Sequence, residues 1–351
     1  MTALHVAGVH GHAGCLNVLL RNSADVASID DRNRSIFHAV AYSGCVQSFN
    51  TIQSYVKKLV KPEHVKNLNN SPRGSVDSDV SNDSDESGNV SDEEMAEKLD
   101  LQREMKVKSM INHVDCNRIS PVHMAAWTAS SLALDWLLKK NASVNGPPDY
   151  KGRTPLHYAS LNDKHGDCLQ ILIDHKAELM AKDNQNFNPF HWAARTGQSH
   201  NIEQLIAKTS NVIYTPDSEG ITSSKQFSPL HLAARYGHHS SVEQLESLVV
   251  DPDIMDENNC TPLWYACKYG HEDAAVCLIN AGAAAFPLDY TKNESMVDKI
   301  DLDDDVMLDH SHENDGDRTS LTKLSEMPTY PLHECARNGN YGLARVHFVL
   351  L

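Results

Sequence analysis

Apolar residues along the chain fall into short paired clusters instead of one long periodic run. The first cluster of a pair is compact and small-residue-rich, as in Phe190-His-Trp-Ala-Ala194. The second has the three-and-four spacing of a single helix face: Cys168, Leu169, Ile171 and Leu172 in one place, Ala274, Ala275, Leu278 and Ile279 in another. Gly-His separates the members of a pair, as at Gly237-His238 and Gly270-His271, where glycine ends one helix and the chain reverses. An Asp-rich turn follows each pair, such as Asp149-Tyr-Lys-Gly152 or Asp256-Glu-Asn-Asn259. The pattern predicts an all-α chain of helix-turn-helix units. One such pair cannot bury its own apolar face, so the units must stack.

A tetrapeptide marks the start of each unit: Thr2-Ala-Leu-His5, Ser35-Ile-Phe-His38, Ser120-Pro-Val-His123, Thr154-Pro-Leu-His157, Asn188-Pro-Phe-His191, Ser228-Pro-Leu-His231, Thr261-Pro-Leu-Trp264 and Tyr330-Pro-Leu-His333. The intervals are 33, 85, 34, 34, 40, 33 and 69 residues. Proline suits the first helical turn, where its missing amide hydrogen is no loss, and the preceding Thr or Ser is placed to cap the helix. Signature and period resemble the ankyrin repeat. That resemblance implies an ankyrin-repeat solenoid acting as a non-catalytic protein-interaction scaffold.

The two longest intervals coincide with the acidic part of the chain. Of the formal net charge of −16, residues 71–100 and 293–327 each hold −8, which leaves a neutral body. The expected organisation is repeats 1 and 2 at 1–62, truncated at the N-terminus, and a disordered acidic Ser-rich insert at 63–97. Repeats 3–7 follow at 98–292, then a second disordered acidic insert at 293–327 and a partial eighth repeat at 328–351. The second helix of repeat 2, about Cys45–Val60, is expected to lengthen into the first insert, and Met95–Val114 reads as helical. Ser91, followed by Asp-Glu-Glu, and the proline-directed Ser71 are candidate phosphorylation sites. Signatures falling at Met1 and shortly before Leu351 suggest a fragment of a longer array.

Enzyme chemistry finds no purchase. There is no phosphate-binding Gly-rich loop with Lys, no HExxH, no GxSxG and no paired zinc ligands. Asp301-Leu-Asp-Asp-Asp305 begins like a calcium loop, but Val306 stands where Gly is needed and His312 where Glu is needed. His10, His12 and Cys15 have metal-like spacing, yet His12 is the Gly-His position. The eight scattered cysteines suit a reducing compartment, so the expected location is cytoplasmic, with the nucleus open. Neither cofactor nor metal is expected, and the net charge excludes an overall grip on nucleic acid or an anionic membrane.

Repeat proteins bind through a concave surface built from turn tips and the exposed positions of the first helix. Seven residues after the signature start, the last four repeats carry Arg195, Arg235, Lys268 and Arg337, with Tyr236 and Tyr269 beside two of them. Stacked, these form a basic ladder suited to an acidic segment of a protein partner, or to one of the chain's own acidic inserts. Residues 149–282 combine a 34-residue repeat, a long turn at 210–226 and Ser228-Pro-Leu-His-Leu-Ala-Ala-Arg-Tyr-Gly-His-His239. That order is similar to the serine/threonine protein phosphatase 6 regulatory ankyrin repeat subunits. It implies a subunit that associates with the phosphatase holoenzyme, including its catalytic subunit, and recruits substrates. An adaptor for an unrelated partner, and the cytosolic N-terminal array of a transient receptor potential-type channel, are the alternatives.

Overall fold

The structure, a computed structural model, describes residues 1–59, 92–209, 227–246, 251–284, 331 and 337–339. A helix starts at the second residue of each of the first seven signatures: α1 (Ala3–Val9), α3 (Ile36–Ser43), α6 (Pro121–Trp127), α8 (Pro155–Asn162), α10 (Pro189–Thr196), α12 (Pro229–Tyr236) and α14 (Pro262–Tyr269). Their partners are α2 (Ala13–Arg21), α4 (Val46–Leu59), α7 (Ser131–Lys139), α9 (Asp167–Asp174), α11 (Ser199–Lys208), α13 (His239–Glu246) and α15 (Glu272–Asn280). One long helix, α5 (Asp92–Ile111), precedes repeat 3 and starts ahead of Met95. No strand occurs among the described residues; a lone bridge joins Ile29 and Ser35. The expected all-helical repeat architecture is what the chain adopts, and α4 is lengthened as its sequence implies.

The chain forms two compact units, Met1–Asn184 and Gln185–Leu351. In the first, α1 packs on α3, α3 on α6 and α6 on α8, while α2 packs on α4 and α7 on α9. In the second, α10, α12 and α14 form one layer and α11, α13 and α15 the other. Close approach in the first-helix layer requires small side chains: Ala193, Ala194, Ala233, Ala234 and Ala266 are wholly buried.

The signature histidine locks adjacent repeats. In Ser120-Pro-Val-His123 the backbone amide of Ser120 donates to Nδ1 of His123 at 3.2 Å, and the hydroxyl lies 2.8 Å from the same nitrogen. An amide can only donate, so Nδ1 accepts and the proton resides on Nε2. That Nε2 then donates to the carbonyl of Arg153, at the foot of the next repeat, at 3.2 Å. His5 reaches Arg34 at 3.0 Å, His38 reaches Ile119 at 2.9 Å, His191 reaches Phe227 at 2.9 Å and His231 reaches Cys260 at 3.0 Å. The arrangement is a capping box in which imidazole replaces the usual Glu or Gln and keeps a second nitrogen for its neighbour. Trp264 occupies this position in repeat 7 and lacks that pair of nitrogens.

The same contacts show where the long intervals go. His38 bonds to Ile119, Asn33 Nδ2 to the Val114 carbonyl and the Cys116 amide to the Arg32 carbonyl, so repeats 2 and 3 stack directly across an 85-residue interval. The indole Nε1 of Trp136 on α7 donates to Asn50 on α4 at 2.8 Å, and its ring lies 4.6 Å from that of Phe49.

The Asp-rich turns are built from one side chain each. Asp149 Oδ1 accepts the amides of Lys151 and Arg153, while Oδ2 accepts from the Tyr158 hydroxyl at 2.6 Å and from Arg153. Asp256 does the same with Asn258, Cys260 and Tyr265. Burial of the tyrosines and the facing carboxylates push both phenols well above the ordinary range.

Burial holds His38 and His123 down to about 4, and His231 also below its ordinary value. Between about pH 4 and 6.5 His38 and His123 bind a proton when unfolded but not when folded, and His231 contributes in the same direction. Stability is therefore complete above about 6.5 and falls as pH drops toward 4, by roughly 1 kcal/mol per pH unit for each of His38 and His123. Thermal melts at stepped pH test this, and a flat midpoint across that window would refute it. Gly237 sits at φ +76°, and a Cβ there would lie 2.5 Å from the His271 ring. Gly237→Ala is expected to cost on the order of 2 kcal/mol, read as a lower urea midpoint; an unchanged midpoint would disprove the packing account.

Candidate protein-binding face

The position seven residues after each signature start is in the last turn of the first helix; in the second unit a left-handed glycine, Gly197, Gly237 or Gly270, ends that helix. In the second unit this turn presents Arg195 on α10, Arg235 on α12 and Lys268 on α14, all partly exposed. The guanidinium of Arg195 lies 5.6 Å from the ring of Trp192 on its own helix and 5.5 Å from Tyr236 of the next repeat. Arg235 lies 5.9 Å from Tyr236 and 5.1 Å from Tyr269. Lys268 completes the series, 4.6 Å from Trp264 and 5.8 Å from Tyr269. Cations and aromatic faces thus alternate across three consecutive repeats, each contact contributing about 0.5–1 kcal/mol at such exposure.

The backbone beneath is tied just as regularly. His238 Nε2 bonds the Arg195 carbonyl at 3.1 Å and His271 Nε2 bonds the Arg235 carbonyl at 2.9 Å. Asn338 Nδ2 donates to the Lys268 carbonyl at 2.6 Å, which brings the eighth repeat's turn beside the seventh. Arg337 is exposed there. The second histidine of Gly-His, read from sequence as a helix-reversal residue, is therefore also a link between repeats. Its signal was the recurrence of Gly-His at Gly11-His12, Gly237-His238 and Gly270-His271.

These cations differ from two arginines of the Asp-rich turns. Arg34 is paired with Asp30 at 2.7 Å and Arg153 with Asp149 at 2.9 Å. Among the described residues no carboxylate pairs with Arg195, Arg235 or Lys268. The Nη1 atom of Arg235 is buried without a hydrogen-bond partner. Tyr269 is 42% exposed, so the aromatic part of the face meets solvent. In the first unit the equivalent positions are Val9, Tyr42, Trp127 and Leu161, none of them charged. Ser71 and Ser91, the candidate phosphorylation sites, lie outside the described residues.

The rest of the described surface offers little reactive chemistry. No cluster of His, Cys, Asp and Glu able to hold a metal occurs among the described residues; the rings of His10 and His12 stack 5.9 Å apart. Burial pushes the Cys168 thiol up to about 12 and raises that of Cys277, the opposite of an activated nucleophile. A cavity in the first unit is lined by Met1, His5, Val9, Tyr42 and Met124, together with Arg34 and Asp30, whose charges already satisfy each other. No helix among the described residues is long and apolar enough to cross a membrane.

Comparison with known proteins agrees with this architecture. The family model "Ankyrin repeats (3 copies)" matches residues 94–183, 123–217 and 230–297, more than half of the chain, and the model "Ankyrin repeat" matches residues 1–34. Mouse rabankyrin-5 is 31% identical over 165 residues, covering 47% of this chain and 14% of its own length. Chicken inversin is 32% identical over 103 residues, 29% of this chain and 9% of inversin. Human neurogenic locus notch homolog protein 4 is 34% identical over 88 residues, 25% of this chain and 4% of that protein. The chain thus spans a small part of the length of these relatives. The crystal structure of the human ASB11 ankyrin repeat domain superposes with a TM-score of 0.55 at 14% identity, over 81% of this chain and 99% of that one, a likeness of fold alone. Signature, cross-repeat histidines, paired helices and family match together show that this chain belongs to the ankyrin repeat family.

Proposed function

We propose that the chain is a non-catalytic scaffold that captures a protein partner on the cation–aromatic face of its second unit. The ankyrin repeat is generally an interaction module, and one observation carries the assignment to this face. Three successive repeats present Arg195, Arg235 and Lys268 held on aromatic rings, with no paired carboxylate among the described residues. Stacking limits the side-chain freedom that binding would otherwise have to remove, and aromatic and Arg residues are the usual anchors of an interface. Arg337 and the exposed eighth-repeat turn extend the face.

The finer reading is a regulatory, substrate-recruiting subunit of a serine/threonine phosphatase complex. Its support is the order of repeat lengths, long turn and Ser228–His239 motif within residues 149–282. The relatives named above are other ankyrin proteins, so this reading rests on that stretch of sequence. The eight cysteines are scattered singly along the sequence, with no CxxC pair, which supports placement in the cytoplasm or nucleus.

The test is affinity capture from cells with quantitative mass spectrometry, comparing the wild-type chain with R235E/K268E. Expected is a set of partners enriched by the wild type and reduced on the order of tenfold or more by the charge reversals. Equal recovery by a folded double variant would refute the assignment to this face. Enrichment of the phosphatase 6 catalytic subunit among the reduced partners would support the finer reading, and its absence would count against it.

A further inference from the structure

The scaffold reading leaves the chemistry of the partner open, and the spacing of the ladder narrows it. Helices α10, α12 and α14 pack side by side, so successive cations stand one helix-packing distance apart, about 8–10 Å. A partner running along the ladder must therefore present a negative charge to the same side about every 9 Å. A β-strand returns a side chain to one face every two residues, about 7 Å, or every four, about 13 Å, and misses the rungs either way. A polyproline II segment has three residues per turn and rises about 3.1 Å per residue, so it repeats on one face about every 9 Å.

The surface between the rungs suits that conformation. Tyr236 lies beside Arg195 and Arg235, and Tyr269 beside Arg235 and Lys268, at the distances given above. Aromatic side chains are the common platform for polyproline II ligands, whose backbone is extended before binding and loses little entropy on it. The cations supply the counterpart for carboxylates: Arg195, Arg235 and Lys268 are partly exposed and have none among the described residues.

From this geometry we propose that the second unit binds an acidic polyproline II segment of a partner protein, with carboxylates at every third residue facing Arg195, Arg235 and Lys268. The proposal rests on the scaffold reading and adds conformation and register to it. The equivalent positions of the first unit, Val9, Tyr42, Trp127 and Leu161, lack the cations and are not part of this site.

Fluorescence anisotropy with the full chain tests the register directly. The probes are a labelled peptide of four Glu-Pro-Pro triplets and a peptide of identical composition with its glutamates contiguous. A third is a helical peptide bearing Glu every seventh residue, since a helix also repeats about every 10 Å at that spacing. The triplet peptide is expected to bind on the order of tenfold tighter than both controls, with affinity falling as salt rises. R235E and Y236A/Y269A are each expected to weaken it on the order of tenfold, with circular dichroism confirming that each variant is folded. The tyrosine pair separates a stacked ladder from simple charge attraction, because Y236A/Y269A leaves the net charge untouched. Equal binding of the contiguous peptide, preference for the helical one, or indifference to Y236A/Y269A would overturn the proposal. Should a cellular partner be lost in R235E/K268E while the triplet peptide shows no preference, only the register fails and the scaffold reading stands. If neither partner nor peptide responds to those variants, both fail.

Discussion

Everything in this fold depends on a neutral imidazole bonded at both nitrogens. The signature histidine sits three residues into the first helix, where a capping side chain is needed, and its ring is long enough to reach the next repeat as well. One nitrogen completes the cap within the repeat; the other fixes the carbonyl that precedes the following signature. A single residue thus sets helix start, repeat spacing and repeat orientation. Such a group must remain uncharged, since a proton on Nδ1 would face the amide that Nδ1 accepts. Complete burial enforces this, because water cannot stabilise the cation.

The same regularity accounts for the binding face. Because each repeat repeats the geometry of the last, any side chain at a given position becomes one rung of a ladder. At most positions the rungs are alanines and leucines that fill the core. Seven residues after the signature start the helix is ending, and in the second unit the side chain there is partly exposed, so polarity is free to vary. In the second unit that freedom is taken by cations whose aromatic neighbours come from the same and the adjacent repeat. Two ion pairs of the first unit, Arg34–Asp30 and Arg153–Asp149, show the contrast: those arginines neutralise turn aspartates, whereas no carboxylate among the described residues pairs with the ladder.

Long insertions leave this scheme intact because the contacts that define stacking involve the signature, the turn and the Gly-His link. None of these lies in the added residues. Repeats 2 and 3 meet through His38, Asn33 and Cys116 as closely as repeats separated by an ordinary interval. The helix-reversal histidines His238 and His271 do more than their sequence position indicated: each also holds the preceding repeat's carbonyl, over a glycine with no room for a Cβ. The turn aspartates were visible as composition, but their bond to a tyrosine nine residues later, as in Asp149–Tyr158 and Asp256–Tyr265, was not.

Sequence alone determined the repeat, its period, the helix starts, the long α4 and the identity of the ladder positions. Those properties follow from local rules: proline at a first turn, a hydroxyl cap, glycine where φ must be positive, and apolar residues on one helical face. Tertiary structure decided which partner each polar side chain meets. That Arg235 stacks on Tyr269 of the next repeat, while Arg153 pairs with Asp149 of its own turn, depends on which atoms come within a few ångströms once repeats pack. Spacing along the chain brings residues to a common face, but only packing between repeats sets those distances.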